Sequence, residues 1–207
     1  MKIGDYINQN FDHVYVRNLK NANQRLEHFQ ENANLINLKY EIFTGISGNI
    51  FVPQDYPRSQ YLTGNNLSLI SVILDAMRKN YESIVICDDD STFYNYEVYE
   101  NLHKEFLPAD WDIINLGEMK YHPNKQNQLD FQNIKYCPAQ IEGSQAVAYN
   151  KKAYFTILNH LFDFEKTGST GDGLYDRLMT QDRIKGYIIK PNFCYQERAR
   201  IRQSVFE

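Results

Sequence analysis

Three consecutive carboxylates, Asp88, Asp89 and Asp90, follow directly on the apolar run Ile84-Val85-Ile86-Cys87. Four apolar residues in a row, mostly β-branched, predict a short strand buried on both faces of a mainly parallel sheet. Like charges at contact distance repel by several kcal/mol in a half-buried setting, so the pattern asks for a cation nearby. Side chains alternate along extended chain, which places Asp88 and Asp90 on one side and Asp89 on the other. A hard divalent ion, Mg²⁺ or Mn²⁺, fits between the first and third. Ligands of open α/β sheets bind beyond the carboxyl ends of the strands, and the triplet falls there. Asp also serves turns and caps without any metal, so the two readings stand side by side.

The flanking elements must position this triplet. Val14-Tyr15-Val16 reads as a first strand leaving through Asn18-Leu19, and Leu26, Phe29, Ala33 and Ile36 recur at helical spacing from a start near Asn21 to Asn23. Residues 39–43 form a second strand, giving a β-α-β opening with parallel strands. Between Thr44 and Gly64 periodicity is lost, and Gly45, Gly48, Pro53, Pro57 and Gly64 predict a long loop, either a pocket wall or an irregular connection. Leu67, Ile70, Ile73, Leu74 and Met77 mark a helix leading into the strand at Ile84. Further on, a helix is expected over residues 96–106, a buried strand over 111–117, a polar excursion over 120–132 and a strand over 144–149. An amphipathic helix over 151–162, a Gly-rich turn at 168–172 opening a helix to Met179, and a last strand at 187–190 complete the pattern.

The chain has 207 residues with 22 Lys plus Arg against 26 Asp plus Glu, enough for one well-filled core and too acidic for broad nucleic-acid or membrane-surface binding. A single α/β domain over residues 1–207 is expected. Sixteen Tyr and twelve Phe favour amphipathic pocket walls over disorder. Cys87, Cys137 and Cys194 are odd in number and lack CxxC spacing, so neither a disulfide framework nor a zinc site is expected, and a reducing compartment is. No apolar run approaches bilayer length and the N-terminus lacks a signal-peptide core. A soluble, cytoplasmic protein with no membrane span is the expectation.

Several segments together resemble nucleotide-sugar-dependent glycosyltransferases of the GT-A fold, in particular family 25, the lipopolysaccharide-type and collagen galactosyltransferases. They are Tyr15-Val16-Arg17-Asn18-Leu19 with Arg25 downstream, Phe43 with Gly48, the strand and acids from Ile84 to Asp90, and Gly143 to Tyr149 followed by Ala153. Asp172 and the stretch from Gly186 to Gln196 complete the resemblance. Leu69 stands after Ser68 where that family has His, and Asp88 opens the acidic motif where it usually has Glu, features of a small divergent viral or bacterial relative. The resemblance implies a GT-A fold, a UDP-linked nucleotide-sugar donor, a glycan or glycoprotein acceptor and inverting transfer. By the same analogy Asp88 and Asp90 hold the metal, and Asn18, Arg25, Asp88 and Asp89 hold the donor. A metal between carboxylates and phosphates neutralises a diphosphate leaving group. Asp172 is the expected base, with helix capping as its alternative and Asp176 in reserve. Arg25 and the tail arginines Arg198, Arg200 and Arg202 suit phosphate, although most surface arginines bind none. Gln196 is a candidate to complete the metal shell, and Phe93 and Tyr94 suit either stacking or core packing.

Asp88-Asp89-Asp90-Ser91-Thr92 also matches the DxDxT signature of haloacid-dehalogenase-type phosphatases, with Asp88 as nucleophile and residues 171–176 as their GDxxxD motif. Two predicted strands ahead of the acids argue against it. An EF-hand is excluded because Phe93 and Tyr99 occupy positions that need Gly and Glu. A sugar-nucleotide-binding domain without turnover remains a third alternative.

Overall fold

The computed structural model describes residues 1–52, 57–95, 97, 107–117, 135–138, 143–163 and 172–197. Helix α1 (Ile3–Asn10), strand β1 (His13–Asn18), α2 (Asn23–Leu35) and β2 (Glu41–Thr44) open the fold. A short 3-10 turn (Gly48–Ile50), the long α3 (Pro57–Arg78), β3 (Ser83–Asp88) and β4 (Ser91–Phe93) follow. The remainder comprises β5 (Ile113–Asn115), β6 (Lys135–Pro138), β7 (Ala146–Asn150), α4 (Lys151–Phe162), α5 (Asp172–Thr180), β8 (Gly186–Lys190) and β9 (Cys194–Gln196). Seven strands form one sheet in the order β2-β1-β3-β7-β5-β8-β6, while β4 and β9 pair as a separate antiparallel ribbon. β1 is parallel to both β2 and β3, and β5 to β8, whereas β7 runs against β3 and β5, and β6 against β8. Five strands therefore share one direction, the mainly parallel α/β sheet that the sequence predicts.

The period of two sorts side chains onto two cores. Val14, Val16, Val85, Cys87, Ala146 and Ala148 join Phe29 and Ala33 of α2 and Ile3, Tyr6 and Ile7 of α1 on one face. Tyr15, Ile84, Ile86, Val147 and Tyr149 join Leu69 and Ile73 of α3, Tyr154 and Ile157 of α4 and Leu174 of α5 on the other. Central strands buried on both sides in this way read as continuous apolar runs.

Three expectations need correction. α1 went unpredicted, although Ile3, Tyr6, Ile7 and Asn10 hold helical spacing and are all buried. The expected loop from Thr44 to Gly64 is shorter, because α3 begins at Pro57, where a proline at the first helical position sacrifices no hydrogen bond. The strand over 187–190 is followed by another, β9. The helix expected over 96–106 and the polar stretch over 120–132 lie, all but Glu97, outside the described residues. Among the described residues no helix is long and apolar enough to cross a membrane.

The start of α3 is locked onto the chain leaving β2. Ser68 Oγ donates to Gly64 O at 2.7 Å and accepts from Ile46 N at 2.8 Å, and Gln60 Nε2 donates to Val52 O at 2.8 Å. A Cβ on Gly64 would lie 2.6 Å from Ile46 O and 2.8 Å from Gly48 N, both backbone atoms with little freedom to retreat. Gly64→Ala is therefore expected to destabilise the fold by about 1–3 kcal/mol despite the better helix propensity of Ala, measured by denaturant unfolding. Wild-type stability in that variant would contradict the close packing.

Candidate active site

β1 feeds β2 on one side, and the chain then returns through α3 to β3 on β1's other side, so the carboxyl ends of β1 and β3 flank the point where the connections diverge. This is the ligand-binding position of open α/β sheets. The parallel register sets Arg17 opposite Asp88 there. Arg17 directs Nε and Nη2 onto Asp88 Oδ1 at 3.1 and 2.6 Å, and Nη1 onto Asn65 Oδ1 of α3 at 2.7 Å. The arginine side chain is only 9% exposed, the aspartate 26%.

The next two acids turn toward α2. Asn18 Nδ2 donates to Asp89 Oδ2 at 2.7 Å, and Arg25 pairs with both Asp89 and Asp90, reaching Asp90 Oδ2 at 3.0 Å. The β4–β9 ribbon aligns Ser91 with Gln196, whose Nε2 donates to the same Asp90 Oδ2 at 2.9 Å. The amide of Glu197 donates to Asp90 O at 3.0 Å. Strand alternation correctly sends Asp88 and Asp89 to opposite sides. It fails at Asp90, because β3 ends at Asp88 and the chain turns, so Asp89 and Asp90 share one guanidinium. Asp89 bonds the Asn18 carboxamide and Arg25.

Among the expected site residues, Asn18, Arg25, Asp88, Asp89 and Asp90 therefore assemble in one place. Asp172 is the first residue of α5, but its side chain lies outside the described set, as do Arg198, Arg200 and Arg202. Asp176 is half-buried one helical turn on. Its neighbour Tyr175 shares a hydroxyl–hydroxyl hydrogen bond with Tyr149 of β7, which ties α5 to the sheet face carrying Arg17 and Asp88. Phe93 and Tyr94 are buried in the core, Phe93 edge-on to Phe29, which decides for packing over stacking. Leu69 is likewise a core residue.

Sequence reading missed three contributors. Arg17 was legible in hindsight as a charge at the end of a buried strand. Asn65 and Gln145 were not, since their roles depend on tertiary contacts. Gln145 accepts from Asp88 N at 2.7 Å and from Ser91 Oγ at 2.6 Å through its backbone carbonyl.

Three carboxylates face two guanidiniums, leaving one net negative charge when all are ionised. Both Arg17 contacts with Asp88 fall on its Oδ1, and Asp90 Oδ1 is buried with no hydrogen-bond partner among the described residues. Among the described residues no three His, Cys, Asp or Glu side chains form a ready-made metal cage. An ion that takes one or two carboxylates and completes its shell with phosphate and water, as Mg²⁺ does, fits this donor set.

Burial pushes the Asp88 carboxyl above its ordinary range against the pull of Arg17. Burial, the largest single influence, lowers the Arg17 guanidinium, but Asp88 together with Tyr149 and Tyr175 holds it above its usual value. Burial likewise raises Asp89 to about 6, against Arg25 and Asn18. Between pH 4 and 6 the native Asp89 thus keeps a proton that the unfolded chain has released, and its contribution to stability falls as pH rises through that window. The stability of wild type relative to Asp89→Asn is expected to drop by roughly 2–3 kcal/mol from pH 4 to 6.5, read from paired unfolding curves. A flat difference would show that Asp89 is ionised throughout.

Of solved structures, a glycosyltransferase involved in glycosylating the major capsid of PBCV-1 superimposes with a TM-score of 0.53 at 7% identity, covering 90% of this chain and 92% of the other. A197 from STIV gives 0.46 at 10% identity, covering 89% and 84%. A nucleoside-diphosphate-sugar pyrophosphorylase from Vibrio cholerae gives 0.41 at 10%, covering 84% and 70%. The first of these shows a shared fold, the GT-A type expected. No curated protein matches the sequence significantly. The family model described as glycosyltransferase family 25 (LPS biosynthesis protein) matches residues 11–193, from the start of β1 almost to β9, and sets aside the phosphatase alternative. With that match over most of its length, the chain belongs to glycosyltransferase family 25.

Proposed function

We propose that this glycosyltransferase moves a sugar from a UDP-linked donor to a hydroxyl of a glycan or glycoprotein acceptor, with Mg²⁺ or Mn²⁺ held by Asp88 and Asp90. The observation that carries the reading is the Asp90 carboxylate. Arg25 and Gln196 both engage its Oδ2, while Oδ1 is buried with no hydrogen-bond partner among the described residues. A buried carboxylate oxygen without a partner costs about 1–3 kcal/mol or more, so its retention points to a ligand.

A divalent ion bound there supplies charge neutralisation for the departing diphosphate. The chain's own residues do the rest. Arg17 and Asn65 fix Asp88, and Arg25 and Gln196 fix Asp90, so both carboxylates are oriented before the donor arrives. Asp172, at the head of α5, takes the proton of the acceptor hydroxyl as its oxygen bonds to the anomeric carbon and the bond to the diphosphate breaks, inverting the centre. Asp176 is the alternative base. Cys87 and Cys194 are buried free thiols, which supports a reducing, cytoplasmic setting.

Incubating the protein with a panel of nucleotide sugars, with and without Mn²⁺, tests the reading through metal-dependent nucleotide release. Asp90→Ala is expected to weaken metal-dependent donor binding by roughly a hundredfold, since it deletes the free oxygen. Full binding by that variant would refute the metal assignment. Asp172→Asn should lower kcat by about 10²–10⁴-fold while donor affinity, measured by calorimetry, stays within about twofold. An unchanged rate would remove Asp172 from the mechanism and direct attention to Asp176.

A further inference from the structure

Helix α3 contributes more to this site than the carboxamide of Asn65. It starts after the carboxyl end of β2 and descends toward the start of β3, so its first turns stand above the mouth of the sheet. Tyr61 lies four residues before Asn65, on the same helical face one turn nearer that mouth. Asn65 bonds Arg17, which bonds Asp88, so this face of α3 looks onto the acidic cluster. Tyr61 is close enough for Asp88, Asp90, Arg17 and Arg25 all to act on its phenol. Among the described residues it is also one of the large side chains left substantially exposed, at 48%.

Its position is built rather than incidental. The contacts of Ser68 with Ile46 and Gly64, of Gln60 with Val52, and the backbone approach of Gly64 to Gly48 hold this part of α3 against the chain leaving β2. A fixed helix thus carries a half-exposed tyrosine on the face that also presents Asn65, within the field of two guanidiniums and two carboxylates. Burial, followed by the fields of Asp88 and Asp90, raises the phenol's pKa, so the hydroxyl keeps its proton and remains a donor. Phosphate oxygens are the acceptors that such a donor meets when a nucleoside diphosphate enters.

We infer that Tyr61 is a donor-binding residue whose hydroxyl hydrogen-bonds a diphosphate oxygen of the nucleotide sugar. The inference rests on the transferase reading above and adds a contact from the α3 wall, opposite to Arg25 on the α2 side. A hydroxyl-to-phosphate bond is charge-assisted, and such bonds are about twice as strong as neutral ones. Its loss is expected to weaken diphosphate binding by about tenfold.

The experiment compares wild type with Tyr61→Phe by calorimetry in Mn²⁺, using UDP, GDP and ADP and the corresponding nucleosides. The expected result is about tenfold weaker binding of the preferred diphosphate by the variant, with its nucleoside bound equally by both proteins and the unfolding temperature unchanged. A Tyr61→Phe protein that binds the diphosphate as wild type does overturns the inference while leaving the transferase reading in place. Equal weakening for nucleoside and diphosphate overturns it too, since the ring and not the hydroxyl would then be the contact. A wild-type protein that binds no nucleoside diphosphate overturns both.

Discussion

Three adjacent carboxylates at the end of one strand are tolerable only because two guanidiniums, delivered from opposite faces of the sheet, hold them apart. At an effective dielectric near 20, two like charges 4 Å apart repel by about 4 kcal/mol. Arg17 takes Asp88 on the α3 side and Arg25 takes Asp89 and Asp90 on the α2 side. The pairing fixes the path of the chain at the top of β3, because a carboxylate separated from its partner in such a buried place would be left uncompensated. Neither arginine is a detachable surface contact. Arg17 is spoken for by the parallel register of β1 with β3, and Arg25 by the first turns of α2.

That constraint gathers distant parts of the chain. β7 runs against its neighbours, so its start, with Gln145, meets the finish of β3, and the Gln145 carbonyl receives both the Asp88 amide and the Ser91 hydroxyl. The β4–β9 ribbon brings Gln196 to Asp90 across 106 positions of sequence. Asn18 links Asp89 to the turn before α2 by also donating to Ala22 O at 3.0 Å. The carboxylates are thereby oriented by partners drawn from β1, α2 and β9, and the site forms only when these elements have come together.

What was legible in the sequence divides along the same line. Periodicity is local, so β1, β3 and β7 were readable from their apolar runs and α4 was readable over its full extent, 151–162. β4, β6 and β9 escaped notice, whereas the equally short β2 and β5 were found because they lie within longer apolar stretches. Pro57 and Gly64 read as loop punctuation because their helical roles, an N-terminal proline and a glycine under a neighbouring backbone, depend on context. The acids announced the site, and Asn18 and Arg25 came with the family pattern. A charge at the end of β1 could be read from the sequence, but the pairing of Arg17 with Asp88 follows from strand register, a long-range property.

The distribution of partners over Asp90 argues that this centre is more than a structural ion-pair network. A carboxylate recruited only for stability would share its donors between both oxygens, since each oxygen has its own solvation to replace. Here Arg25 and Gln196 converge on Oδ2, and no donor to the buried Oδ1 is found among the described residues. Local rules of polar satisfaction are kept through most of a fold and broken where a ligand restores them. Among the described residues several buried polar atoms lack a partner, and one of these breaks falls at Asp90, close to Asp88, whose partly exposed carboxylate takes both Arg17 contacts on one oxygen. Two carboxylates with acceptor capacity to spare in that position, in a chain of this transferase family, are what favour our proposal that the donor's diphosphate and a cation bind there.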